Sequence, residues 1–294
     1  EPVKRPNRLI RIKRVTMDAI EHFLNDEALM TASALAFTLI LALFPFLIFI
    51  TAVASLLGGE ELATTISAGL FDVLPGDIAR ALEPQVRRVI GTRSGGFLTF
   101  GLVITIFSLT TAIESIRAGL NRAYSVKETR NVIITRIESL LFVLIGSLTL
   151  LIVALLAVVA PLSYEWLEGL FPDLVPWRVI YDAIRLLLLA AILYGALVAL
   201  HVALPRHRRG PKQVWIGCLV TLLLWYAAGL GFSFYLSNFS NYAATYAGLA
   251  GVVAALMFFY ICSACLLFGG EVNRAIAVSR RRYALEKRGL AVPQ

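Results

Sequence analysis

Glu114, Arg117 and Asn121 stand at i, i+3 and i+7, which is one face of a helix if the chain is helical there. Glu271 and Asn273 close the last apolar run of the sequence, at the same depth once the topology below is drawn. A carboxylate, a guanidinium and an amide on one face can meet the second pair as a polar gate at the inner mouth of a cavity. They can equally serve as interfacial salt bridges and as solvation for helix ends, and the sequence by itself carries both readings. Other chemistry is poorly supplied. His22, His201 and His207 are the only histidines, and no H-E-x-x-H, P-loop, G-x-S-x-G or zinc-spaced cysteine set occurs. A nuclease would want clustered carboxylates for metal ions or a histidine pair for acid–base work, and neither is visible.

Several weaker features suit packing better than catalysis. His201 reads as an interfacial packing residue. Cys262 and Cys265 form a C-x-x-C within an apolar stretch, and Cys218 lies in another. A redox or metal role would need a polar, accessible setting, so small residues packing between helices is the expectation. Glu165, Glu168, Asp173 and Asp182 crowd one loop, yet their spacing shows none of the convergence that calcium or magnesium needs. The apolar runs hold no carboxylate or lysine at mid-depth, the usual mark of ion-coupled transport. The expectation is therefore a protein that is not an enzyme, with no cofactor, no catalytic residue and no metal ligand.

The elements that must position these residues are set by the uncharged runs. No charge occurs between Glu27 and Glu60, nor in 94–113, 139–164, 186–205 or 213–270. A helix crossing a ~30 Å hydrocarbon layer needs about 20 apolar residues. Four runs hold one span each, and the fifth holds two around the polar, aromatic stretch 237–246. This predicts six transmembrane helices, at about 31–57, 95–113, 139–163, 184–204, 214–236 and 247–270. The composition agrees: 294 residues, 59% hydrophobic, 16% charged, with mean hydropathy +0.79. Soluble chains carry about 25% charged residues, so a water-soluble fold lacks the polar surface it would need. The fold class is all-α, a polytopic membrane protein, because backbone groups in lipid must be satisfied within the segment. The two-residue alternation of a membrane barrel is missing.

Charge sets the orientation. Of the 27 basic residues, 21 fall on the side that holds both termini. Basic residues stay cytoplasmic, which makes both termini cytoplasmic and accounts for the net charge of +8 without nucleic acid. The division of the chain follows. Residues 1–29 form a basic amphipathic lead suited to the headgroup layer. Residues 30–274 form a single six-helix membrane domain, and 275–294 a basic cytoplasmic tail. In the outer loop 58–94, Gly58-Gly59 opens a stripe of Leu62, Ile66, Leu70 and Leu74. Pro75-Gly76 breaks it, and a second stripe follows. This predicts an outer helical hairpin, either a lid or an interfacially packed element. Pro45 predicts a kink within the first span. Tyr235, Asn238, Asn241, Tyr242 and Tyr246 form an outer polar turn that can contact a headgroup or sugar, or solvate the turn.

Four segments carry a resemblance to a known family. TASALAFTLILALFPFLIF (31–49), ESIRAGLNRAYSVKETRN (114–131), ALPRHRRGPKQVWIG (203–217) and YAGLAGVVAALMFFYICSACLLFGGEVN (246–273) resemble, in order, motifs of the YihY/BrkB family of bacterial inner-membrane proteins. The resemblance covers about 15–280. Thr38, Ala247, Phe258 and Gly270 depart from the residues usual in that family. The resemblance implies six spans and a bacterial inner-membrane location, and it supplies no catalytic residues to carry over. Members have carried the name ribonuclease BN, for which this sequence offers no chemistry. Three functions follow as expectations. The first is a transporter, exporter or flippase for an amphipathic or anionic solute or lipid. The second is an envelope-integrity scaffold, and the distant third is a membrane ribonuclease. The partners expected are membrane lipids, a small amphipathic or lipid substrate and a second copy of the chain, with no nucleic acid.

Overall fold

A backbone that crosses lipid must close its hydrogen bonds locally, and every described element is a helix. The computed structural model describes residues 8–73, 83, 95–171, 176–238 and 249–288. In chain order the helices are α1 (Arg8–Asn25), α2 (Ala28–Val73), α3 (Gly95–Ala123), α4 (Val132–Ala154), α5 (Ala160–Leu170), α6 (Arg178–Ala203), α7 (Pro211–Asn238) and α8 (Leu249–Lys287). A π turn, Leu155–Val159, joins α4 to α5 in one continuous rod. Pro161 explains it: the ring leaves the carbonyl of Ala157 without its donor, and a widened turn just before it absorbs the clash. Five helices are long and apolar enough to cross a membrane, or six when the bent pair α1–α2 counts as one span.

The chain is inside out relative to a soluble protein. Small residues lie buried between the helices, among them Ala32, Ala36, Ala42 and Ala112, while Val103, Leu187 and Phe234 point outward at 61%, 70% and 72% exposure. In lipid, large apolar side chains gain little by going inside, so close approach and interhelical hydrogen bonds hold the bundle. The last helix is its axis: α8 packs on α1, α2, α3 and α7. Against α7 the approach is closest, with Gly217 facing Gly269, where even a methyl group would strike the other backbone.

The helices differ from the predicted spans chiefly by running past them. Helix α3 continues from the apolar run through Glu114, Arg117 and Asn121 to Ala123. Helix α8 continues to Lys287, so most of the basic tail expected at 275–294 is helical. The N-terminal lead is helix α1, but it does more than lie on a surface. Ala19 is fully buried against Val272 and Ala275, whereas Leu9, Met17, Ile20 and Leu24 remain exposed on the opposite side. The double glycine does not end the first long helix as expected. Helix α2 runs through it to Val73, with Gly59 at a φ of +72° that glycine alone adopts readily. The second limb of the predicted hairpin, in 74–94, lies outside the described residues apart from Glu83. Pro45 sits within the continuous α2. A separate bend, a 66° turn, joins α1 to α2, where Glu27 takes a φ of +50°.

Candidate functional site

Polar side chains concentrate where α1, the end of α3 and the start of α7 pack on α8, and where the end of α6 and the start of α4 adjoin them. The order of the site begins with local turns. Helix α3 stops in a reverse turn in which Val126 N–H reaches Asn121 O and Ser125 N–H reaches Arg122 O, each at 2.8 Å. Ser125 takes the left-handed position, φ +53°, that glycine usually fills. Helix α4 then starts on Asn131, whose side chain accepts from Ile133 N–H at 2.9 Å. The five residues between Ser125 and Asn131 include Glu128 and Arg130.

Glu128 accepts Arg130 twice, Nε at 2.9 Å and Nη2 at 2.7 Å, together with Asn121 Nδ2 at 3.0 Å and two backbone N–H groups. The Arg130 guanidinium holds the Glu128 carboxyl well below the usual range, at about 2. Arg130 also reaches Glu138 at 2.7 Å and the Leu204 carbonyl at 2.7 Å. Glu138 faces two further cations, Arg208 at 3.5 Å and Arg117 at 3.7 Å. Arg117 is only 3% exposed, and none of its three guanidinium nitrogens has an aligned hydrogen-bond partner. Asn121 spends its other end on the next loop, accepting Arg206 N–H at 2.8 Å. Glu114 turns outward from this group to Arg136, 3.0 Å away.

A second chain of contacts runs through the bundle centre. Asn273 accepts Gly217 N–H at 2.7 Å and donates to Tyr124 Oη at 3.2 Å. With its oxygen so engaged, Tyr124 has its own proton for His201 Nδ1, 3.1 Å away. Burial pushes the Tyr124 phenol above its ordinary range, so that proton stays in place. His201 is fully buried, which corrects its reading as an interfacial residue: the Tyr124 hydroxyl supplies the partner that lets it lie inside. Arg209 lies 4.3 Å over the Tyr124 ring, and burial lowers its basicity. On the far side of α8, Glu271 is fully buried beside His22 (2.8 Å) and Arg274 (3.0 Å).

The five residues singled out from the sequence therefore share one end of the bundle but not one point. Arg117 and Asn121 join through Arg130, Asn273 belongs to the Tyr124 chain, Glu271 faces α1, and Glu114 faces α4. Sequence reasoning passed over Tyr124, Glu128, Arg130 and Glu138. Their density of charge in 124–138, just outside an apolar run, was the available signal. Of the outer polar turn, Tyr235 lies in α7 with its ring 6.2 Å from that of Phe232, and Asn238 is the last residue of that helix. Asn241, Tyr242 and Tyr246 lie outside the described residues. At the basic end, α1 and the distal part of α8 enclose a groove of about 710 Å³, lined by Arg11, Arg14, Arg280 and Arg282 with Asp18 and Glu286.

Residues 19–291 match the family model described as Virulence factor BrkB. The chain is 29% identical over 247 residues to the ribonuclease-like protein YfkH of Bacillus subtilis, covering 82% of this chain and 87% of that one. It is 25% identical over 264 residues to a UPF0761 membrane protein of Xanthomonas campestris pv. campestris, 88% of this chain. It matches another from Xanthomonas axonopodis pv. citri to the same degree. The chain spans only 59% and 60% of the length of those two relatives. No solved structure matches it.

Proposed function

The chain belongs to the Virulence factor BrkB family of membrane proteins, and from that premise we propose that it is a non-enzymatic transporter, exporter or flippase. Its cargo in this reading is an amphipathic or anionic solute or lipid. Buried Arg117 carries the proposal. A guanidinium with no aligned hydrogen bond, 3% exposed inside a membrane bundle, is costly to keep unless something anionic uses it. Its partner Glu138 is already shared with Arg130 and Arg208, so three cations meet one carboxylate. A phosphate or carboxylate entering here would complete the coordination with charge-assisted bonds. The basic groove between α1 and α8 offers the same chemistry at the surface.

The family points to the bacterial inner membrane as its place, and the charge asymmetry supports both termini being cytoplasmic. The carboxylates Glu128 and Glu138 are held by arginines, which suits charge balance rather than proton transfer. The test uses proteoliposomes holding fluorescent phosphatidylglycerol or phosphatidylcholine, read by dithionite quenching. The expected result is movement of the anionic lipid across the bilayer, reduced about tenfold or more in Arg117→Gln, a loss of about 1.4 kcal/mol of binding. Equal, protein-independent quenching for both lipids would overturn lipid transport and favour an envelope scaffold.

A further inference from the structure

We propose that His22, Asp26 and Glu271 form a binding site for one divalent transition-metal ion, of the zinc or manganese class, clamping the α1–α2 elbow to α8. A ligand atom from each of the three residues lies within 4.8 Å of the others. His22 Nδ1 and Glu271 Oε2 lie 2.8 Å apart. That is near the ~3.0 Å edge of an octahedron with bonds of about 2.1 Å to nitrogen and oxygen.

The surroundings of the histidine suit a metal ligand. His22 Nε2 lies 3.2 Å from Ser125 Oγ. A metal-bound histidine typically donates its other ring N–H to such a group, which fixes the tautomer. In the tautomer that donates Nε2–H to Ser125, Nδ1 turns a lone pair toward Glu271 Oε2, and a cation between them would relieve that repulsion; in the other tautomer Nδ1–H faces the carboxylate. Consistently, Nδ1 has no aligned hydrogen bond in spite of the short distance, and Glu271 Oε1 is buried without any partner. Ser125 itself stands in a left-handed conformation that costs a residue with a Cβ about 1 kcal/mol. Glycine would avoid that cost but would bring no hydroxyl to the ring.

Charge points the same way. The linked set contains the carboxylates of Asp18, Asp26 and Glu271 and one guanidinium, Arg274, which holds Glu271 at 3.0 Å and Asp18 at 3.5 Å. Three carboxylates and one guanidinium leave two negative charges, which one divalent ion balances. A pair of i, i+4 ligands on the α1 elbow and a third from α8 would fasten the 66° bend to the helix on which the bundle is built.

The experiment strips purified full-length protein with EDTA in nanodiscs, then titrates Zn²⁺ or Mn²⁺, followed by calorimetry, elemental analysis and thermal unfolding. The expected result is about one ion per chain and a higher melting temperature with metal. Asp26→Asn, at a half-exposed elbow position where it leaves the buried contacts intact, should abolish stoichiometric binding. Ser125→Ala, which removes only the group orienting the ring, should weaken affinity about tenfold. A stripped protein that takes up no ion would overturn the proposal. So would Asp26→Asn and His22→Gln variants that elute as monodisperse protein and bind as the parent does.

Discussion

Placing a methyl group on Gly269 should damage the bundle more than any other glycine-to-alanine change at the described glycines of its spans, save its facing partner Gly217. A Cβ there would run into Thr221 Oγ1 and stand 2.7 Å from the Gly217 carbonyl. Neither neighbour can yield. Thr221 Oγ1 donates its one proton to the Gly217 carbonyl at 3.0 Å, with the Cys265 carbonyl 3.3 Å away, and Gly217 is helix backbone. Helices α7 and α8 must separate, and Gly217 N–H then loses Asn273 Oδ1 at 2.7 Å. Overpacking costs about 1–3 kcal/mol, and a buried group left without its partner a further ~1–3, for a total near ~4 kcal/mol. At ~2–4 °C per kcal/mol for chains approaching this size, melting should fall by ~10 °C.

The assay is thermal unfolding by tryptophan fluorescence in one detergent, with two comparisons. In Gly119→Ala the new Cβ meets side-chain methyls, of Leu267 at 2.9 Å, Leu35 at 3.2 Å and Thr31 at 3.5 Å, and should cost ~1–2 kcal/mol. In Gly146→Ala nothing lies within 4 Å, and stability should hold or rise by up to ~1 kcal/mol. Combining Gly269→Ala with Thr221→Ala should recover part of the loss, since the Gly217 carbonyl remains in the way. Melting of Gly269→Ala within ~2 °C of Gly146→Ala would refute the close crossing and the packing argument built on it.

Two further outcomes are expected. Glu128 is held near 2 in the fold against an ordinary 4.5, so its stabilisation is complete above about 4.5 and disappears as pH falls through 2. The melting temperature of Glu128→Gln should therefore lie below the parent at pH 6 and converge with it toward pH 2–3; a constant gap over that range would refute the Arg130 pairing as its cause. Fusions of alkaline phosphatase after Arg209 and after Gln294 should be inactive, and one after Ser94 active. An active Gln294 fusion would reverse the orientation read from the basic residues.

What the sequence determined by itself was everything that depends on composition along a short window. Uncharged runs of helix-spanning length locate each apolar segment, because the cost of a charge in lipid is paid residue by residue. The skew of arginine and lysine, and the amphipathic pattern of α1, are equally local. Lateral arrangement is not. Lipid-facing and bundle-facing positions are both apolar, so no periodic signal says that Gly217 meets Gly269, and Gly58-Gly59 looks like a helix end although α2 continues through it. The five polar residues singled out beforehand were legible as polar groups at span ends, but the burial of Arg117, Asn121, Glu271 and Asn273 was not. Burial depends on which helix lies opposite: Glu138 reaches Arg117 from α4, and His22 reaches Glu271 from the other end of the chain. Only tertiary structure decides whether a charge at a span end is solvated or enclosed, because the energy that separates the two lies in the partner it meets.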